Sequence, residues 1–326
     1  MALDFALIVL ARRPSAMKRT AAGPRERGHS RWISGKALLA VVFWGSSFVA
    51  TKIALEGLHP FALVWTRLAL GALLLYATLA VRGEAVLPRR EDRAVSALLG
   101  LLLGAHLLIQ SFAMRLTSAM HAGWLVAFMP VTIALGAQAF LSQKLRPIGW
   151  LGAAIASSGV LLLTASAPTR FVHAGAGDLI MLSSCLTWTA YTLIAIKPIE
   201  HNGALRVTAF AMATAVLPNA IASAFAGFAS GPLTGPVIGA VLFLGLLSSG
   251  VAFWAWSQAL RDVGPARSSA TLYLQPFVTL AASFAILGEP PTLNALVGGP
   301  IVLLGVWLLA RFGKTPASPR PVQGDA

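Results

Sequence analysis

Ten apolar runs, each close to 20 residues long, dominate this 326-residue sequence. A helix of about 20 residues spans the ~30 Å hydrocarbon core of a bilayer. Only 11% of the residues are charged, whereas soluble domains have about 25%. We therefore expect an all-α integral membrane protein with ten transmembrane helices, at residues 36–55, 60–81, 94–114, 119–141, 148–166, 178–196, 205–226, 235–259, 268–287 and 293–311.

The placement of the basic residues predicts the orientation of these helices. All but four of the 25 Lys and Arg residues fall in the tails or in loops on one side, if both termini are cytosolic. Arg115 and Arg170 lie in the opposite loops, and Lys52 and Arg67 lie within spans. This pattern follows the positive-inside rule. It predicts an N-in/C-in protein of the cytoplasmic membrane, and it explains the net charge of +14 without nucleic acid.

The segments outside the spans divide the chain. Residues 1–35 read as a basic cytosolic tail, because their short apolar start is far below spanning length. Residues 312–326 are Pro-rich and polar and are expected to be disordered. A polar, Gly-containing break at 166–178 separates a first five-helix unit, 36–166, from a second, 178–311. The single cysteine excludes an intrachain disulfide, and no His/Cys cluster has metal-ligand spacing, so neither metal nor cofactor is expected.

The two units repeat each other. A shift of 146 residues overlays Pro, Gly and Arg positions without a gap, and Trp44 matches Trp188 at an offset of 144. Five spans per unit force the second unit to enter the membrane upside down. The matched positions are Pro130 with Pro276, Gly152 with Gly298, Gly159 with Gly305, and Arg115 with Arg261. Two inverted five-helix repeats (5+5) are typical of secondary transporters, whose substrate site lies near the midplane between the repeats.

The opening stretch WGSSFVATKIALEGLHPFALVWTRLALGALLL resembles that of EamA-type transporters of the drug/metabolite transporter superfamily. So does the pattern formed by Ala270, Pro276, Leu287-Gly288-Glu289-Pro290, Gly298 and Gly305. The resemblance covers residues 36–311. It implies a 5+5 fold, a central cavity lined largely by the third, fourth, eighth and ninth spans, and export of metabolites such as amino acids. One position departs from the family: Gln143 stands where the first repeat usually carries the counterpart of Glu289.

The two cations within spans are the first candidates for function, because a charge in hydrocarbon is costly. Arg67 lies about 10 Å from the nearer end of its helix, at 1.5 Å per residue. It is either a structural hub near a helix break or an attraction for a substrate carboxylate or phosphate. Lys52 lies closer to a helix end. It either extends its stem to the surface or acts at the cavity mouth in gating.

Polar-tipped aromatic and amide side chains deep in the spans are candidates for the cavity wall, because their N–H or O–H groups need partners. The alternatives are an interfacial position for the tryptophans and helix-to-helix bonding for the glutamines. The candidates are Trp44, Gln110, Trp124, Trp188, Tyr191, Trp256, Tyr273 and Gln275.

Several smaller features carry alternatives of their own. Pro130 and Pro276 either kink the helices as hinges or only curve them. The pairs Gly100/Gly104 and Gly235/Gly239 predict close helix packing. A neutral His106 bonded to a carbonyl is expected.

The acidic residues all fall in tails, loops or helix ends, which predicts no carboxylate proton relay at mid-bilayer. Transport driven by the substrate gradient is therefore expected at least as much as transport coupled to protons.

These features predict a secondary transporter that moves a small polar or amphipathic metabolite by alternating access, as an exporter. An integral-membrane enzyme acting on lipid or lipid-linked groups is the alternative from another class, but it would need acids, histidines or a metal clustered at one face. A receptor or scaffold would not need an inverted repeat. The expected partners are a small-molecule substrate and membrane lipid, without nucleic acid, and the chain is expected to act as a monomer.

Overall fold

A computed structural model describes residues 34–141, 146–164 and 174–312. The predicted terminal tails fall almost entirely outside these residues, as does Gln143. The first part of the described chain consists of α1 to α6, and a 3₁₀ turn at Arg90–Asp92 precedes α3. Their bounds are Gly35–Gly57, Pro60–Val81, Arg93–Leu116, Ala119–Val126, Met129–Leu141 and Pro147–Thr164.

The second part begins with α7 (Ala174–Asn202) and α8 (Ala204–Ala226). A long helical stretch follows, in which a π-helical segment, Phe243–Val251, joins α9 to α10. After a 3₁₀ turn at Leu272–Leu274 come α11, a second π-helical segment at Ser283–Leu287, and α12. The helix bounds are α9 Gly235–Leu242, α10 Ala252–Thr271, α11 Gln275–Ala282 and α12 Leu293–Phe312.

Seven helical segments in the described chain are long and apolar enough to cross a membrane. Three shorter apolar helices coincide with the fifth, ninth and tenth predicted runs: Pro147–Leu163, Leu272–Leu287 and Leu293–Leu309. The all-helical, multi-pass character is confirmed. The count of ten spans and their orientation remain predictions.

The matched prolines occur where the helices lose regular geometry. Before Pro130, the amides of Ala127 and Phe128 bond to carbonyls three residues back, and the chain makes a turn between α4 and α5. Pro276 is the second residue of α11, directly after the 3₁₀ turn. Proline lacks an N–H, so the first turn of a helix tolerates it. Both prolines therefore mark a break rather than simple curvature.

Glycines bring α6 and α12 into close contact. A Cβ atom on Gly152 would lie 2.6 Å from the Gly305 carbonyl oxygen, and one on Gly159 would lie 2.8 Å from the Gly298 oxygen. The repeat matches Gly152 with Gly298 and Gly159 with Gly305. Each glycine of α6 therefore contacts the repeat counterpart of the other α6 glycine. Reciprocal contacts of this kind are those that a two-fold axis generates. The reversed order along the chain makes α6 and α12 antiparallel, as an inverted repeat requires.

The two predicted glycine pairs behave differently. Gly100 and Gly104 pack closely against α8, where a Cβ on Gly104 would lie 2.9 Å from Asn219 Nδ2. The packing prediction is wrong for Gly235 and Gly239, since no atom of the described residues lies within 4 Å of a Cβ added to either glycine. They lie on the exposed side of α9, whose packed face carries Val237 and Ala240 instead.

Candidate functional site

A central cavity lies between α1, α2, α3, α5, α7, α10 and α11. It has about 370 Å³ of unfilled space, including its open side. Helices of both predicted repeats line it, among them α1, α2 and α7, which the family resemblance did not emphasise. The lining residues are Trp44, Ser47, Phe48, Arg67, His106, Leu107, Gln110, Met129, Trp188, Phe253, Leu272 and Gln275.

Arg67 is buried, with 3% of its surface exposed, and its charge lies in the cavity wall. Its Nε donates to Ser249 Oγ at 3.0 Å and its Nη2 donates to Ser248 Oγ at 3.1 Å. A guanidinium has five N–H donors, so these two serines use only part of its capacity. No ion pair joins Arg67 to a carboxylate among the described residues.

The π-helical segment explains why both serines reach Arg67. A π-helix is wider than an α-helix and is frequent at functional sites. Adjacent hydroxyls of Ser248 and Ser249 face α2, and the Ser248 carbonyl accepts from Trp44 Nε1 at 3.1 Å. Gly71 allows the close approach, because a Cβ there would lie 3.1 Å from the Gly250 nitrogen. Sequence reasoning missed these serines, although an SSG run within the eighth span was a visible signal.

Aromatic rings form another part of the cavity wall. Trp44 and Trp188 meet edge-to-face with centroids 5.2 Å apart, so the two repeat-matched tryptophans touch each other across the centre of the molecule. Tyr191 stacks on Trp188 at 5.4 Å, and Phe253 and Trp256 close the cluster. Such pairs contribute about 0.5–1.5 kcal/mol beyond their buried area. These contacts hold the rings of Trp44, Trp188 and Phe253 together beside the cavity that they line.

Two further polar side chains of the cavity wall, His106 and Gln110, come from α3 and contact Ser184 on α7. His106 Nδ1 lies 3.1 Å from the Ser184 carbonyl oxygen. A carbonyl can only accept, so Nδ1 carries the hydrogen, as the prediction of a carbonyl-bonded His106 requires. Gln110 Nε2 donates to Ser184 Oγ at 3.4 Å.

Five of the nine predicted site residues share the cavity wall: Trp44, Arg67, Gln110, Trp188 and Gln275. Tyr191 and Trp256 lie directly behind it, in the aromatic cluster. The other two lie elsewhere.

Trp124 and Tyr273 both pack toward α12. The Trp124 ring covers Gly299, while Tyr273 donates its hydroxyl hydrogen to the Val306 carbonyl at 2.9 Å. Both tie helices together rather than face the cavity.

Lys52 lies apart from this cavity. Its side chain is partly exposed, within the electrostatic field of Glu289. The Glu289 carboxylate accepts from the backbone N–H groups of Ala119 and Met120 at 3.3 and 3.0 Å, at the start of α4. A carboxylate is favoured at this position by the helix dipole. The described residues contain no group of three His, Cys, Asp or Glu side chains that could hold a metal.

Comparison with known proteins now decides the family. The EamA-like transporter family matches the chain twice, at residues 32–165 and 175–311. The chain belongs to this family. It is a transporter rather than an enzyme, and a multi-pass protein of the cell membrane. The membrane-enzyme alternative is thereby removed.

Several relatives are named as transporters as well. A "Probable terminal-alkyne amino-acid exporter" of Streptantibioticus cattleyicolor is 30% identical, over 84% of this chain and 92% of the relative. The "Uncharacterized transporter YdfC" of Bacillus subtilis is 28% identical, over 82% and 87%. A solved crystal structure superimposes with a TM-score of 0.63 at 22% identity, over 85% of this chain and 96% of that one, which supports the fold.

Proposed function

We propose that this EamA-family protein exports a small metabolite that carries a carboxylate, such as an amino acid or a related amphipathic compound, by alternating access. The observation that carries the proposal is the buried Arg67 in the cavity wall, with no carboxylate bonded to it among the described residues. A buried cation without an anionic partner costs several kcal/mol. An anionic substrate group would supply the missing charge.

The rest of the cavity suits the remainder of such a molecule. The faces of Trp44, Trp188 and Phe253 offer an apolar surface to a side chain. Gln110 and Gln275 add amide groups that can bond polar substituents. Support for export comes from the amino-acid exporter among the relatives. The matched breaks at Pro130 and Pro276 lie next to Met129 and Gln275 in the cavity wall, which suits a hinge role.

Counterflow in proteoliposomes tests the substrate class. A metabolite panel should include each carboxylate compound beside its neutral amide. The wild type should exchange the carboxylate form, and Arg67→Gln should lose it by about tenfold or more, since a hydrogen bond to a charged group contributes about 1.5–3 kcal/mol. Exchange of the amide should change far less in the same variant.

Comparison of each carboxylate compound with its amide distinguishes substrate binding by Arg67 from a purely structural role. Equal losses for the carboxylate and its amide would make Arg67 a structural hub and contradict the proposal. Arg115→Gln, at an exposed position outside the cavity, is the matched control and should leave both rates unchanged. Direction is measured separately, by comparing substrate efflux from right-side-out and inside-out vesicles. Faster movement toward the cytosolic side would contradict export.

A further inference from the structure

A buried histidine–aspartate pair joins three helices at the end of the molecule where α4 and α7 begin. His121 Nδ1 lies 3.3 Å from Asp178 Oδ1, and the two side chains are 7% and 0% exposed. His121 Nε2 lies 2.8 Å from the Leu163 carbonyl oxygen, near the end of α6. Thr117 donates its hydroxyl hydrogen to Asp178 Oδ1 at 2.9 Å. The prediction that acids are confined to tails, loops and helix ends correctly places Asp178 at a helix end but misses its burial and its histidine partner.

The positions of these donors and acceptors favour a proton on this pair. Thr117 Oγ1 also lies 3.4 Å from His121 Nδ1, but its single hydroxyl hydrogen is donated to Asp178. The Leu163 oxygen can only accept, so Nε2 must carry a hydrogen. A neutral imidazole then turns the lone pair of Nδ1 toward an ionised Asp178, which places two acceptors opposite each other. In the other neutral tautomer, Nδ1 carries the hydrogen and can donate it to Asp178. The lone pair of Nε2 then faces the Leu163 carbonyl oxygen, which is also an acceptor. Both contacts are favourable only when His121 is doubly protonated or Asp178 is protonated.

Burial strengthens this preference. Without the proton the pair carries a net negative charge in a site that excludes water, which is costly. Asp178 Oδ2 is also buried and has no hydrogen-bond partner among the described residues. With the proton, the pair is neutral overall.

Among the described residues, the charged side chains near the pair do not replace the proton. Glu289 is bound to the amides of Ala119 and Met120, next to His121 on the same helix, and Lys52 on α1 faces Glu289. Arg115 on α3 is exposed. The described residues of α6 carry no titratable side chain beyond its first turn, and Asn294 at the start of α12 donates to the Leu162 carbonyl.

The pair also connects the two repeats. His121 belongs to α4 in the first repeat and Asp178 to α7 in the second. The other end of α4 is the break at residues 127–128, and Met129 beyond it lines the cavity. Separation of His121 from Asp178 would remove the contact between the start of α4 and α7, so that α4 could shift relative to α7 about this break.

We propose that His121 and Asp178 form a proton-binding site that locks this end of the transporter when it is occupied. Loss of the proton at higher pH leaves two hydrogen-bond acceptors, His121 Nδ1 and Asp178 Oδ1, facing each other. Their repulsion releases α4 from α7. The proton passes to water on that side of the membrane. The inference rests on the proposed transport function, because substrate flux is its readout.

The test is the substrate flux of the full-length protein in proteoliposomes, with the pH varied separately on each side from about 5 to about 9. The wild-type flux should rise with pH on the side where α4 and α7 begin, by up to about tenfold per unit for one linked proton. It should respond little to pH on the other side.

Two variants remove the titration without removing the contact. In Asp178→Asn, the amide can donate to Nδ1 while Nε2 still donates to Leu163, and His121→Gln can still donate to Asp178. Both should give a flat pH profile. Asp92→Asn is the matched control, because Asp92 also contacts a histidine, His201 at 3.1 Å, but at the opposite end and with that histidine 40% exposed. It should keep the wild-type profile.

A wild-type profile in Asp178→Asn, or a flat profile in the wild type, would overturn the proton site. Counterflow at one fixed, symmetric pH reports whether each variant is folded and carries substrate. Failure of the wild type in that assay would count against the proposed transport function instead, so the two failures are distinguishable.

Discussion

At the scale of single residues, the two cations within spans separate by their surroundings. Arg67 is buried against two serine hydroxyls in the cavity wall, whereas Lys52 is partly exposed and lies in the field of Glu289. Depth in the helix predicted this difference. The serine partners were not predictable from hydropathy, because a π-helical segment has no hydropathy signature of its own.

The bond between Arg67 and Ser249 should stabilise the fold. Ser249→Ala leaves the buried Nε hydrogen without an acceptor, which should cost about 1–3 kcal/mol. Thermal unfolding in one detergent measures the loss. Ser46→Ala is the matched control, since within the described part of the chain Ser46 bonds only to the Val42 carbonyl of its own helix, on a more exposed face. Equal melting temperatures for the two variants would contradict a stabilising role for the Arg67 contact.

At the scale of helices, periodicity and repeat matching predicted most of the fold. The apolar runs coincide with helical segments, and the matched pairs Trp44/Trp188 and Gly152/Gly298 occupy equivalent contacts. The exceptions depend on tertiary contacts. The fourth run is broken at residues 127–128, and α10 continues to Thr271 across the predicted boundary. The His121–Asp178 pair joins residues from separate helices, which no local pattern in the sequence could reveal.

The crossing of α6 and α12 gives a prediction in which packing opposes helix propensity. Alanine is about 1 kcal/mol better than glycine in a helix interior, so Gly239→Ala, with no atom within 4 Å, should be neutral or stabilising. Gly159→Ala should instead destabilise by about 1–3 kcal/mol, because its Cβ would lie 2.7 Å from the Val302 backbone nitrogen. Thermal unfolding of both variants decides this, and a stabilised Gly159→Ala would refute the close crossing.

At the scale of the whole molecule, the two ends are tied in different ways. At one end, backbone bonds join the α1–α2 turn to the α8–α9 loop: His59 N–H donates to Phe228 O at 3.0 Å, and Ser230 N–H donates to Gly57 O at 2.9 Å. The buried His121–Asp178 pair lies at this same predicted end. At the other end, Lys36 on α1 pairs with Asp262 on α10 at 2.7 Å, with 49% and 44% of their side chains exposed.

The Lys36–Asp262 pair should therefore control access more than stability. An exposed ion pair contributes about 0–1 kcal/mol, so Asp262→Asn should hardly change the melting temperature. It should, however, loosen α1 from α10 and speed the labelling of a cysteine placed in the cavity by Ser47→Cys. A membrane-impermeant maleimide applied from each side in turn measures this rate, and Cys185 does not interfere because it is buried. Arg82→Gln is the control, since its partner Glu84 lies within the same loop. Unchanged labelling from both sides in Asp262→Asn would show that this ion pair does not restrain the opening between the repeats.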